Sequence, residues 1–197
     1  MIRGAPCWNT GKLYFQTDDS FETLRPLEYC GPTAIANAWA ALGGRPGANN
    51  FGGTWPLRPP DAVIAYFLTK SNWPMFQVIR PLDLVQYPPN RVPQYHPRAA
   101  LDVLGMAGDY HTGLTWASLI GSLEAQHAVV ICLKKPGHYV ACVAYDDDSK
   151  RVAFKDSWGA DYWLPNSPPD ANGNRWFSET DFNSNVEAFY LDYRGLL

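Results

Sequence analysis

The spacing of hydrophobic and polar positions changes once along this chain. Cys30 to Leu42 is the plainest predicted helix. It is rich in alanine, Pro32 sits in its first turn where a missing N–H costs little, and Gly43-Gly44 stop it. Asp61 to Lys70 predicts a second helix with Asp61 as N-cap, and Arg98 to Met106 a short third. Thr115 to Gln126 predicts another, with Trp116, Leu119, Ile120 and Leu123 at helical spacing. After it the period shortens. Ala128 to Leu133 is an apolar run of buried-strand length. His138 to Tyr145 and Arg151 to Asp156 are strands about the turn Asp146-Asp147-Asp148-Ser149, and Val186 to Tyr193 is the last strand. Met1 to Tyr29 reads as loop with one short strand at Leu13 to Phe15, and Ser178 with Asp181 marks a short capped turn. Helices first and antiparallel strands last predict an α+β fold in one domain, 1–197.

Composition narrows the function classes. With 46% hydrophobic and 18% charged residues, the chain of 197 residues builds a real core. Lys plus Arg number 16 against 19 Asp plus Glu, so no nucleic-acid partner is expected. No apolar run approaches the ~18 residues of a membrane span, so no membrane partner is expected either. Met1 to Thr10 lacks the apolar core of a secretory signal, which leaves a cytoplasmic, virion-associated or non-standard exported protein as the expectation. Four cysteines are too few for a disulfide scaffold, and Cys132 and Cys142 are expected to face each other across adjacent strands as unbridged core thiols. His96, His111 and His127 are scattered and read as structural, and no zinc spacing, P-loop or dinucleotide fingerprint appears, so no metal or cofactor is expected. Asp170, Asn172, Asn174, Trp176, Ser178 and Asp181 fall in a calcium-loop register, but Arg175 stands where that loop demands glycine, and a turn is the preferred reading.

Candidate chemistry begins at Cys30, at the mouth of the alanine-rich helix in Tyr29-Cys30-Gly31-Pro32-Thr33. A helix N-terminus carries partial positive charge and unpaired N–H groups, which favour a thiolate and stabilise an oxyanion formed when sulfur attacks a carbonyl. Taken alone, Cys30 reads better as a small buried hydrophobe, the usual fate of cysteine. A hairpin turning about Asp147 sets Cys142 opposite Val152, Val140 opposite Phe154 and His138 opposite Asp156, all on one face. Such a carboxylate orients the imidazole and stabilises its cation. The pair alone fits a structural hydrogen bond as well as catalysis.

The order Cys, His, Asp raises a resemblance. Cys30-Gly31-Pro32-Thr33-Ala34-Ile35-Ala36-Asn37-Ala38-Trp39 resembles the nucleophile helix of papain-like cysteine peptidases, especially the bacterial and phage C39-like branch. Gly137 to Asp147 resembles that branch's histidine strand, and Lys155-Asp156-Ser157-Trp158-Gly159 is similar to the papain motif Lys-Asn-Ser-Trp-Gly, with Asp for Asn. The resemblance implies a papain-like fold with an N-terminal helical lobe and a C-terminal antiparallel sheet lobe. It implies Cys30 as nucleophile, His138 as base and then acid, Asp156 as orienter, Gln16 as oxyanion donor and Trp158 as a ring covering the His–Asp pair. It implies a peptidase or amidohydrolase acting on a peptide or peptide-like amide. Two alternatives stand beside it: an acyl or peptidyl transferase resembling phytochelatin synthase, and an idle binding component of a larger bacterial or phage assembly such as a virion.

Overall fold

The computed structural model describes residues 1–11, 13–15, 30–45, 105–134, 137–158 and 167–197. The expected helix at Asp61–Lys70, most of that at Arg98–Met106, and Gln16 lie outside them. In chain order the elements are β1 (Ile2–Gly4), α1 (Cys30–Ala41), β2 (Met106–Thr112), α2 (Trp116–Glu124), β3 (Ala128–Leu133), β4 (His138–Asp146), β5 (Arg151–Lys155), β6 (Asn174–Ser178), α3 (Glu179–Asn185) and β7 (Val186–Leu196). Among the described residues seven strands form one antiparallel sheet in the order β2-β7-β3-β4-β5-β6, and β1 pairs with β4. Because β5 occupies one edge of β4 and β3 the start of the other, β1 continues the β3 side by pairing with Ala144–Asp146. The class is α+β: among the described residues three helices accompany the antiparallel sheet.

Two apolar clusters hold the layers together. Along β3, Ala128, Val130 and Cys132 join the cluster around α1, while Val129, Ile131 and Leu133 join the cluster holding Leu119 and Leu123 of α2. Both faces of β3 are therefore covered, which is why its sequence is a continuous apolar run rather than an alternating one. Every described side chain of α1 is buried, so the helix lacks a polar face. Its alanines let it lie close on β4, where Ala141 and Ala144 are equally small. At its end Gly43 takes φ +98°, its N–H meets Ala40 O at 3.1 Å and the Gly44 N–H meets Trp39 O at 2.9 Å. That is a Schellman stop, the reason for the glycine pair. Among the described residues no helix is long and apolar enough to cross a membrane.

Side chains cap the backbone at the heads of both later helices. Thr115 accepts from Ser118 N at the head of α2, and Ser178 accepts from Asp181 N at the head of α3. The C-terminal turn of α2 is tied to β7 by Asp192, which accepts from Ser122 Oγ at 2.8 Å and from His127 Nδ1 at 2.9 Å. His127 thus has a structural partner, and His111 stacks on Tyr190. Asp170 accepts from the N–H groups of Asn172 and Asn174 and from Trp176 Nε1, closing the turn into β6.

Several expectations need correction. Leu13–Phe15 form no strand, because both backbone groups of Tyr14 are taken by the Asn37 side chain instead of by a neighbouring strand. Met106 opens β2 rather than closing a helix. Cys132 lies opposite Tyr139, and Cys142 opposite Val129, so the two thiols sit on opposite faces of the sheet, each free. The β4–β5 hairpin also departs from the expected register. Cys142 faces Phe154, Ala144 faces Ala153, and the strands close at Asp146–Arg151. The loop between them has four residues, ends on Lys150 at φ +55°, and is followed by a bulge that gives β4 one extra residue, Val143. The bulge moves Tyr145 onto the face of Cys142 and Val140, so Val152 and Phe154 still join them in one cluster.

Candidate active site

Three elements meet at one end of the sheet. The first residue of α1 supplies the Cys30 thiol, the first residue of β4 supplies His138, and Asp156 follows the last residue of β5. Gly137, at φ +81°, turns the chain into β4 just before the histidine. His138 and Asp156 are not directly opposed, as the simple hairpin predicted. The observed register near them sets Val140 across from the position of Asp156, with His138 one diagonal step away. The step leaves both side chains on the same face, and they meet: His138 Nε2 donates to Asp156 Oδ1 at 2.8 Å, with the two side chains 8% and 4% exposed. The Cys30 side chain is near enough to act on the ring, and it favours the charged imidazole. With Nε2 committed to the carboxylate, Nδ1 is the ring nitrogen left for sulfur. Cys30 itself is buried.

The electrostatics follow from these contacts. Burial opposes a charge on His138, but the hydrogen bonds and charges of Asp156 and Cys30 outweigh it and push the imidazole up to about 9. Burial likewise works against the Asp156 carboxylate. The His138 hydrogen bond and charge, the Trp158 N–H and the nearby Arg175 charge win, and Asp156 is held below the usual carboxylate range. Trp158 N donates to Asp156 Oδ1 at 2.9 Å, so Trp158 acts on the pair at least through its backbone. Arg175 was singled out in the sequence only as a residue that spoils a calcium loop. It is buried on β6, and its guanidinium donates to Ser167 O at 2.9 Å. The sequence around Pro168, Pro169, Asn172 and Asn174 looks like loop, which hid the strand that carries it.

The structure therefore brings Cys30, His138 and Asp156 together and sets Trp158 beside them, while Gln16 lies outside the described residues. Such a grouping allows a sulfur nucleophile to work with an acid–base imidazole held in one tautomer by a carboxylate. The description Peptidase C39 like family matches residues 10–178. The chain belongs to this family. Membership places it among cysteine peptidases, and the matched span runs from the N-terminal loop through Cys30, His138 and Asp156 to the end of β6. The sequence reading of the C39-like branch is thus correct. A protein assigned as a C39-like peptidase from Bacillus anthracis has the same fold, with a TM-score of 0.53 and 13% identity over 97% of this chain and 96% of that one. A double glycine motif protease from an AMS/PCAT transporter, solved in complex with the leader peptide, aligns over 98% of this chain and 99% of its own at 13% identity and a TM-score of 0.44. No curated protein matches the sequence.

Proposed function

We infer that this C39-like chain is a thiol-dependent peptidase or amidohydrolase of papain-like, two-lobed design, with a peptide or peptide-like amide as substrate. One observation carries the reading: a buried imidazole, bonded on Nε2 to a carboxylate, whose charge is favoured by a cysteine side chain at a helix N-terminus. In the proposed reaction the Cys30 sulfur attacks the amide carbonyl carbon, forming a C–S bond while the carbonyl electrons move to oxygen. The N–H groups at the start of α1 and the Gln16 side-chain amide hold that oxyanion. The oxyanion collapses, the C–N bond breaks, and the departing amine takes its proton from the His138 imidazolium. Neutral His138 then removes a proton from water, which attacks the thioester. The C–S bond breaks, the acid leaves, and the proton returns to the Cys30–His138 pair. Asp156 keeps the ring aligned through both steps, and the Trp158 ring shields the pair from water.

The test offers wild type and Cys30→Ala a proteome-derived peptide library, with and without glycinamide as acceptor, and maps the new termini by mass spectrometry. New free carboxylates from wild type alone are expected. Glycinamide adducts in place of carboxylates would make the chain a transferase, and no new termini from either protein would leave it a binding domain.

A further inference from the structure

The sheet face that carries the nucleophile helix extends past it. α1 packs on β4 and β3, and β7 and β2 follow β3 in the sheet order. Beside Cys30 this face runs through Tyr139 on β4 and Cys132 on β3, which are directly paired and share the Cys30 cluster. A Cβ on Gly31 would lie 3.9 Å from the Tyr139 ring, so Tyr139 marks the place of the nucleophile on this face. The next strand is irregular at this point. Ile131 pairs with Tyr190 and Leu133 with Val186, so Cys132 alone is opposed by Glu187, Ala188 and Phe189. The Ala188 carbonyl accepts from Leu114 N at 2.7 Å, which ties the bulge to the β2 side. Irregularities of this kind re-aim side chains.

Two extra residues are an even number, so the bulge keeps strand parity. Glu187 and Phe189 therefore share the α1 face with Leu191, and Phe189 packs against the Cys30 cluster. The charges of Cys30 and Glu187 both reach the thiol of Cys132, which lies between them. Glu187 is half-buried, and among the described residues no ion pair or hydrogen bond engages its carboxylate. A carboxylate partly withdrawn from water is costly without a cation. Phe189 stacks with Tyr110 of β2, ring centroids 6.5 Å apart and planes 24° from parallel, and both rings remain partly exposed. An acid beside an open aromatic face is the chemistry that holds an ammonium or guanidinium. The head group pairs with the acid, and the alkyl stem and the ring cover each other. An anion would be repelled here, and a neutral side chain would leave the acid unpaired.

The site is within reach of a bound substrate. Neighbouring strands are about 4.8 Å apart, so Glu187 lies two strand steps, about 10 Å, from Tyr139. An extended peptide advances about 3.3 Å per residue, so three residues cover that distance.

We propose that Glu187, with the Phe189 and Tyr110 rings beside it, determines specificity by binding a basic side chain, Lys or Arg, within about three residues of the scissile bond. The proposal rests on the thiol-peptidase reading. Its test maps the termini that the full-length wild type creates in proteome-derived peptides. It then compares kcat/KM on two synthetic peptides that carry the best-cleaved sequence with either the basic residue or Gln at the selected position. Wild type is expected to show Lys and Arg enriched at one position within that window, and to cleave the basic peptide on the order of 10-fold faster than the Gln peptide. Glu187→Gln is expected to cleave the two within about twofold of each other, and Glu187→Lys to favour Asp or Glu at that position. Phe189→Leu, which keeps the acid and removes the ring face, is expected to lose about threefold of the discrimination.

An equal loss on both peptides in Glu187→Gln would make Glu187 a structural residue and overturn the proposal. So would wild-type termini with no preference for Lys or Arg in that window, or a preference that Glu187→Gln retains. A wild type that creates no new termini would refute the peptidase reading itself, a result distinct from any of these.

Discussion

Cys30→Ala is expected to lower turnover on the order of 10⁶-fold while the protein remains folded, because a nucleophile that works in a concerted set cannot be replaced by the remaining groups. The structural cost is small. The side chain is short, it sits at the head of a helix already composed largely of alanine, and alanine is the strongest helix former. Loss of one buried sulfur leaves a void of about one heavy atom, worth about 1 kcal/mol. Denaturant unfolding should give the same slope and a midpoint close to wild type, alongside peptide-cleavage rates indistinguishable from buffer. Retained cleavage by the alanine variant would place the nucleophile elsewhere.

Asp156→Ala is expected to cost on the order of 10⁴-fold in kcat, less than loss of the nucleophile, because the carboxylate acts by orienting and charging the ring rather than by bonding to substrate. It should also change stability in a pH-dependent way. His138 is raised from its ordinary 6.5 to about 9 in the folded protein, so the stability it contributes is fully present below about 6.5 and lost as pH rises through about 9. Asp156 is held low, so its own contribution is present above its ordinary 3.8 and lost as pH falls through the depressed value. Removing Asp156 leaves a buried imidazolium without its partner, a loss of roughly 3–5 kcal/mol that the ring limits by giving up its proton. The variant should therefore be most destabilised at about pH 6.5 and just below, and approach wild type above pH 9. Unfolding midpoints from pH 6 to 10 measure this directly, and a constant gap across that range would show that the ion pair is not the source.

What the sequence made legible was local or periodic. The glycine stop after α1, the caps at Thr115 and Ser178, and the unbroken apolar run of β3 each follow from a few adjacent residues, and each is found in the fold. The juxtaposition of Cys30, His138 and Asp156 was legible because motif spacing and strand parity survive errors of register. The hairpin was misplaced by two residues near the site, yet an even displacement keeps a side chain on its face, and His138 still meets Asp156 on the diagonal. What stayed hidden depends on partners distant in the chain. Ile2–Gly4 is too short to read as a strand without knowing that β4 has a vacant edge there. Asn174–Ser178 looks like turn because its prolines and asparagines lie at its entrance. The partner of Asn37 is not legible either, since nothing in the sequence says that Tyr14 lies against it.

The central claim is that one imidazole joins a thiol to a carboxylate, and the most direct measurement is the NMR titration of the His138 ring in wild type, Cys30→Ala and Asp156→Asn. The account predicts a midpoint of about 9 in wild type, lowered in each variant, because each removes one of the two groups that stabilise the ring cation. A His138 that titrates near its ordinary value of 6.5 and is indifferent to both substitutions would contradict it.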